Sequence, residues 1–279
     1  MNPEVFLDAA RHGRTAVIAK WIKLHEDLDV RNSTGKTALM LCAQNHFPEC
    51  IRILIDANPD IHATDRNGRT ALMVAVQHGS TEFTQMLLEA KAELEAKDTQ
   101  YGYTPLIWVA ESGHVACMQL LLEAKADTTA KDQRGNSALI WASRYGHLEC
   151  VRGLIAANAD IEAKDECLKH TALIAAIQEG QNACAQLLID AKADIEAHHD
   201  GKTAVALAAE NGLAEGLRIL VKNKANVNAR DELRGKTALI RASAYGHTPC
   251  VEILVDARAD VDARDTDGRT ALMCAVIED

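Results

Sequence analysis

The amino-acid sequence predicts an all-α solenoid of about nine stacked helix–turn–helix units. Three observations predict it. A short segment, Thr-Ala-Leu or a near relative, returns at an almost constant interval. Each return opens two short stretches of helical periodicity. A polar turn containing Asp, Gly and Asn then closes the unit.

The opening segment stands at Thr37-Ala38-Leu39, Thr70-Ala71-Leu72, Thr104-Pro105-Leu106, Ser137-Ala138-Leu139, Thr171-Ala172-Leu173, Thr203-Ala204-Val205, Thr237-Ala238-Leu239 and Thr270-Ala271-Leu272. Successive spacings are 33, 34, 33, 34, 32, 34 and 33 residues. Residues 135–165 show the unit well. Thr or Ser before an apolar stretch predicts a helix N-cap, its hydroxyl oxygen taking an orphan backbone N–H. Residues 138–145 make about two turns of helix, and Gly146 suits a left-handed C-terminal position. Residues 147–157 predict a second helix with apolar positions at Cys150, Val151, Leu154 and Ile155. One such pair cannot bury its own apolar face, so the units must stack.

In this phase the chain is one domain, 1–279, with unit boundaries at about 1–31, 32–64, 65–97, 98–131, 132–164, 165–197, 198–230, 231–264 and a partial 265–279. The first unit lacks the opening segment but keeps the phase through Phe6, Ala9, Ala10, Gly13, Trp21 and Ile22, and its other positions are polar, as a cap requires. The last unit contains a first helix, which leaves Leu272, Met273, Val276 and Ile277 without a second helix to cover them. That suggests a fragment of a longer protein.

The repeated pattern resembles the ankyrin repeat, whose first helix carries the signature T-P-L-H-x-A. The resemblance runs from about residue 4 to residue 279. It implies an L-shaped unit of two antiparallel helices and an outward β-hairpin turn, and a stack with a concave palm and hairpin fingertips. The sequence departs from the family in two places. The signature Pro survives at Pro105, and the His is replaced by Met40, Met73, Ile107, Ile140, Ile174, Ala206, Ile240 and Met273, so apolar packing must substitute for the usual Thr–His hydrogen bonding. The usual Gly after the second helix is replaced by Asn58, Lys91, Lys125, Asn158, Lys192, Lys224 and Arg258. Asn tolerates a left-handed backbone; Lys and Arg do so at a small cost in stability, although a cation suits a helix C-terminus.

Composition excludes several function classes. The chain is 48% hydrophobic and 25% charged, with five prolines and no linker-like stretch, which is globular rather than disordered. A net charge of −10 without a basic run argues against nucleic acid and anionic membrane as partners. The N-terminal residues do not read as a signal peptide, and no run of apolar residues is long enough for a membrane helix. The expectation is a monomer in the cytoplasm or nucleus.

The phase also absorbs most of the residues that suggest chemistry. Cys50, Cys117, Cys150, Cys184 and Cys250 share one position early in the second helix, and neighbouring units lie too far apart for disulfides, so they read as small core hydrophobes. There is no CxxC pair. His114, His147 and His247 fall in a recurring Gly-His and read as structural. Asp60, Glu93, Asp127, Asp160, Asp194 and Asp260 also share a position, which suits a surface ladder better than a tuned general base. With no nucleophile elbow, phosphate loop or zinc-protease motif, the expectation is no enzyme and no cofactor. A small-ligand or metal reading rests on Cys167, His170, His198, His199 and Asp200, which fall in neighbouring turns.

Function should sit where the repeats differ from one another. The second residue after the motif Leu, which the resemblance places towards the palm, is Trp108 and Trp141 in successive units and Arg241 later. The variable end of the first helix adds Arg144, Tyr145 and Tyr245, and the fingertips add Tyr101 and Tyr103, with Arg69 and Arg269 elsewhere. Trp, Tyr and Arg are enriched in binding hot spots. The candidate partner-binding set is therefore Tyr101, Tyr103, Trp108, Trp141, Arg144, Tyr145, Arg241 and Tyr245. Three turns carry one extra residue and place Tyr101, Leu168 and Leu233 at or near their tips. Asn228 alone fits the position of asparagines hydroxylated in ankyrin repeats. The function expected from these features is a protein-binding scaffold or adaptor; the alternatives are a regulatory or targeting segment of a larger enzyme or effector, and the small-ligand or metal site.

Overall fold

The structure is a computed structural model that describes residues 2–24, 26–167 and 169–277. The chain divides into two compact units, Met1–Gln133 and Arg134–Asp279. The first contains α1 (Pro3–Arg11), α2 (Thr15–Lys23), α3 (Ala38–Asn45), α4 (Pro48–Asp56), α5 (Ala71–Gln77), α6 (Thr81–Glu89), α7 (Pro105–Ser112) and α8 (Val115–Glu123). The second contains α9 (Ala138–Arg144), α10 (Leu148–Ala156), α11 (Ala172–Gln178), α12 (Asn182–Asp190), β1 (His198–His199), β2 (Lys202–Thr203), α13 (Ala204–Glu210), α14 (Ala214–Lys222), α15 (Ala238–Ala244), α16 (Thr248–Asp256) and α17 (Ala271–Ile277). Within each unit the odd-numbered helices pack in one layer in chain order and the even-numbered helices in a second. No described helix is long and apolar enough to cross a membrane.

Helices of seven to nine residues would not persist alone in water. Packing holds them. All six residues from Ala71 to Val76 are buried in α5, and the same holds from Ala172 to Ile177 in α11. The predicted caps are present: the side-chain oxygens of Thr37, Thr70, Thr104, Ser137, Thr171, Thr203 and Thr237 each accept from the backbone N–H three residues on, at 3.3–3.4 Å. The apolar residues at the family's His position, from Met40 to Ile240, are 0–2% exposed, so burial does replace that hydrogen bonding.

The second helices from α4 to α14 bury their third, fourth and seventh residues, as in Cys50, Ile51 and Leu54 of α4 or Cys150, Val151 and Leu154 of α10. Ile155 is half-buried. The five in-phase cysteines are buried and free, and burial pushes the Cys150 thiol up to about 11, which keeps it protonated and inert. Asn58, Lys91, Lys125, Asn158, Lys192, Lys224 and Arg258 all adopt φ between 58° and 73°, the left-handed backbone expected after the second helix. A glycine at the end of the first helix admits the next repeat. A Cβ on Gly79 would lie 2.6 Å from Nδ1 of His114, and one on Gly212 would lie 2.8 Å from Nδ1 of His247. His247 also bonds the Glu210 carbonyl through Nε2 at 2.9 Å. Both histidines are therefore structural, as their phase predicts.

The turns between helix pairs are built around a buried carboxylate. Asp65, Asp98, Asp132, Asp165, Asp231 and Asp265 are 3–8% exposed. Asp98 is the fullest case: Oδ1 accepts from the backbone N–H groups of Gln100, Tyr101 and Gly102, and Oδ2 from that of Tyr103. Asp65 and Asp265 each take two such N–H groups. One backbone bond closes each loop, from Asp98 N to Tyr103 O at 3.0 Å or from Asp265 N to Arg269 O at 3.0 Å. One more joins each loop to its neighbour within a unit, for example Thr99 N to Asn67 O at 2.8 Å and Thr266 N to Arg234 O at 2.9 Å. Among the described residues only the loop before α13 forms a regular ladder, in which β1 and β2 pair antiparallel around Asp200 and Gly201.

A buried loop that loses its carboxylate leaves several N–H groups without a partner. Asp98→Ala should therefore cost about 2–4 kcal/mol in urea unfolding, well beyond a typical surface substitution. Retention of wild-type stability would remove the carboxylate from the account of the turns.

Candidate functional site

Of the sequence-predicted partner-binding residues, Tyr101, Tyr145 and Tyr245 are exposed, Arg144 is half-buried, and the other four are buried. In the first unit Tyr101 is 44% exposed, whereas Tyr103 and Trp108 are 5% and 6% exposed. The three rings form a cluster: Tyr101 and Tyr103 lie 5.2 Å apart, Tyr103 meets Trp108 edge-on at 5.1 Å, and Tyr101 meets Trp108 edge-on at 6.4 Å. The loop carboxylate fixes this cluster, because Trp108 Nε1 donates to Asp98 Oδ2 at 3.0 Å. Burial, with Asp98 nearby, raises the Glu111 carboxyl above its ordinary range.

In the second unit Trp141 is 7% exposed and Tyr145 is 48% exposed. The rings are stacked 5.7 Å apart and 10° from parallel, and the Arg144 guanidinium sits 5.0 Å from the Trp141 ring centroid. Tyr245 is 58% exposed and stacks on His247 at 6.3 Å. Arg241 is buried. It donates to Glu210 Oε2 at 2.7 Å and to Asp231, while Lys202 reaches Glu210 Oε2 at 2.8 Å. Trp108, Trp141, Tyr103 and Arg241 are thus supports beneath the surface. Tyr101, Arg144, Tyr145 and Tyr245 are the members a second molecule can touch.

The supports connect the fingertips to the carboxylates, which periodicity alone does not reveal. Asp98 and Asp231 are in-phase residues, yet each is gripped by the residue that breaks the period, Trp108 or Arg241. The basic fingertips also fold inward. Arg69 binds Asp65 at 2.8 Å, Arg269 binds Asp265 at 3.2 Å, and Lys36 reaches Gln44 at 2.6 Å. Leu233 is 68% exposed at its loop, as expected, and Leu168 lies outside the described residues. Asn228 uses its amide oxygen to accept from the Asp260 N–H at 2.8 Å, which makes it a rung of the loop ladder.

The metal reading requires correction. Among the described residues no three of His, Cys, Asp and Glu are grouped so as to hold a metal ion. Cys167 and His198 are exposed, and only His170 and His199 pair, with ring centroids 4.0 Å apart. His170 is 4% exposed, its Nδ1 lies 3.4 Å from Asp165 Oδ2, and neither ring nitrogen makes a hydrogen bond. Burial, reinforced by His199, lowers His170 to about 4 against the pull of Asp165.

The folded protein therefore holds His170 neutral, while the unfolded chain protonates it near the ordinary histidine value. Because the folded value is depressed, this contribution to stability is complete above the ordinary histidine value and falls as pH drops from about 6.5 towards 4, by on the order of 3 kcal/mol at the lower end. His170→Asn, which borrows the side chain of Asn136 in the preceding repeat, should flatten this part of the stability–pH curve. An unchanged slope in urea melts across that interval would show that the decline arises elsewhere.

The chain matches the family described as Ankyrin repeats (3 copies) over residues 6–98, 93–165, 163–231 and 229–279. Among solved structures it is similar to the ankyrin repeat domain of Bcl-3, described as a unique member of the IkappaB protein family. That likeness has a TM-score of 0.69 and 29% sequence identity, and covers 75% of this chain and 95% of the other. No curated protein sequence matches. Ankyrin repeats are in general protein–protein interaction modules, and domains of this kind are typically non-catalytic. The capped helix pairs, the stacked layers and the family match over nearly the whole sequence establish that this chain belongs to the ankyrin-repeat family.

Proposed function

We propose that this protein is a non-catalytic adaptor that binds another protein through exposed aromatic residues carried on buried supports. One observation carries the reading. From residue 32 to residue 230, among the described residues, the only large apolar side chains left exposed are Tyr101 and Tyr145. Each stands on a buried tryptophan, Trp108 or Trp141. Every other described large apolar residue in that span is at least half covered by the repeat packing, so these two are not a by-product of incomplete burial. A Tyr held by a rigid neighbour loses little side-chain entropy on binding, which favours its use as an anchor. Arg144 beside Tyr145 and the exposed Tyr245 extend the surface in the second unit. The acidic net charge supports a protein partner over nucleic acid.

Replacing Tyr101, Arg144, Tyr145 and Tyr245 together by Ala should leave the circular-dichroism melt unchanged and abolish capture of the partner in affinity purification with mass spectrometry. Each anchoring Tyr should contribute about 2 kcal/mol to binding. Trp108→Ala with Trp141→Ala should instead lower stability by about 3–5 kcal/mol per site, because both indoles are buried. Recovery of the same proteins by the quadruple variant would overturn the assignment.

A further inference from the structure

We infer that the pocket between α1, the loop at residues 32–36 and α3 is a carboxylate-binding site, which takes an Asp or Glu side chain of a protein partner. The inference rests on the adaptor reading and names the chemistry that the partner must offer. The pocket lies in the first unit, two repeats before Tyr101, and has a volume of about 300 Å³. Arg11, Asn32, Lys36, Gln44 and Asn45 are among the residues that line it, and none of the lining residues is acidic. Arg11 and Asn45 are exposed, whereas Asn32, Lys36 and Gln44 are half-buried.

The other repeats show which group belongs there. Three of the other four Lys or Arg fingertips pair with a carboxylate of their own repeat: Arg69 with Asp65 at 2.8 Å, Lys202 with Glu210 at 2.8 Å and Arg269 with Asp265 at 3.2 Å. The fourth, Lys236, shares its repeat with Asp231, which Arg241 holds. These acids stand at two positions, the base of the loop and the end of the first helix. In each of the six full repeats that follow Lys36, at least one of the two is acidic. In the repeat of Lys36 both are amides, Asn32 and Gln44. Asn32 still fastens its loop, since Oδ1 accepts from the N–H groups of Thr34 and Lys36, but it brings no charge. The Lys36 ammonium donates to Gln44 Oε1 at 2.6 Å, and among the described residues no carboxylate pairs with it. Residues 30–48 contain no Asp or Glu. Acids of the flanking repeats are engaged: Asp8 holds Arg14 at 2.8 Å and His12 at 3.0 Å, and Asp65 holds Arg69. Burial lowers the Lys36 ammonium below its ordinary range; Arg69 and Arg11 add to the shift, and Asp65 opposes it. A carboxylate brought by a partner would make the pair that Lys202 and Arg69 make internally, and hydrogen bonds between two ionised groups are the stronger kind. Because the internal partners are carboxylates, the fit is to an acidic side chain and not to a phosphate group.

The probe is a rhodamine-labelled peptide of alternating Glu and Gly, compared by fluorescence anisotropy at low salt with peptides that carry Gln or phosphoserine in place of Glu. With the full chain, the Glu peptide should bind about tenfold more tightly than the Gln peptide. Lys36→Gln should remove that difference, and Lys36→Arg should keep it. Gln44→Glu should also remove it, because it supplies within the repeat the acid that Lys202 finds in Glu210, and its thermal melt should match or exceed that of the wild type. Lys222→Gln, which removes the same charge from the exposed end of α14, should bind as the wild type does. Equal binding of the Glu and Gln peptides by the wild type, full binding by Gln44→Glu, or an equal loss in Lys222→Gln overturns the proposal. So does binding of the phosphoserine peptide alone, which would assign the pocket to phosphate. The assay needs no natural partner, so its outcome and that of the tyrosine capture experiment are read separately.

Discussion

The turns depend on a carboxylate. Each helix pair returns to the stack through a short loop whose base is buried, and a loop of this size leaves several backbone N–H groups pointing inward with no helix or sheet to satisfy them. Asp supplies two oxygens with capacity for about four hydrogen bonds, and bonds to an ionised acceptor are the stronger kind. Burial works against the charge on Asp231 and Asp265, yet the loop N–H groups and the guanidiniums of Arg241 and Arg269 hold both carboxyls below the usual range. The helices, the fingertips and the ring clusters all take their positions from these points of attachment.

Repeat seven shows what happens without the carboxylate. His199 stands where six other loops carry Asp and the loop before α3 carries Asn32, whose amide oxygen takes two loop N–H groups, and the loop at His199 is one residue shorter. Here the main chain makes the closure, with His198 paired to Thr203 and His199 to Lys202. Asp200 and Gly201 both take positive φ, at 50° and 69°, as a tight two-residue hairpin requires. The exchange leaves a trace next door. His170 meets the His199 ring, with centroids 4.0 Å apart, and burial, reinforced by His199, keeps that imidazole neutral.

Much of this was legible in the sequence. The interval between Thr-Ala-Leu segments located the caps and the buried positions of both helices, and it identified Cys150 and its equivalents as core thiols. It also picked out Trp108, Trp141 and Arg241 as departures. Periodicity reports which face a residue belongs to, not how far the side chain emerges from it. Trp108 is drawn under the surface by a bond to Asp98, ten residues earlier, and Arg241 by bonds to Asp231 and Glu210. Those are pairings between side chains at different phases, which a one-dimensional repeat does not encode. Tyr145 stays outside because the stacking partner beneath it, Trp141, already fills the space.

Loop fastening by a side chain has an evolutionary consequence. A β-ladder ties loop length to register, so one added residue displaces every pair beyond it. A carboxylate at the base imposes no such count: the same Asp closes onto Arg69 four residues later in one repeat and onto Tyr103 five residues later in the next. Insertions at the rim can then accumulate one repeat at a time while the helical layers stay unchanged. A lineage of such proteins can change the contour it presents to the outside without refolding, and the uneven lengths of the turns in this chain are what that history would leave behind.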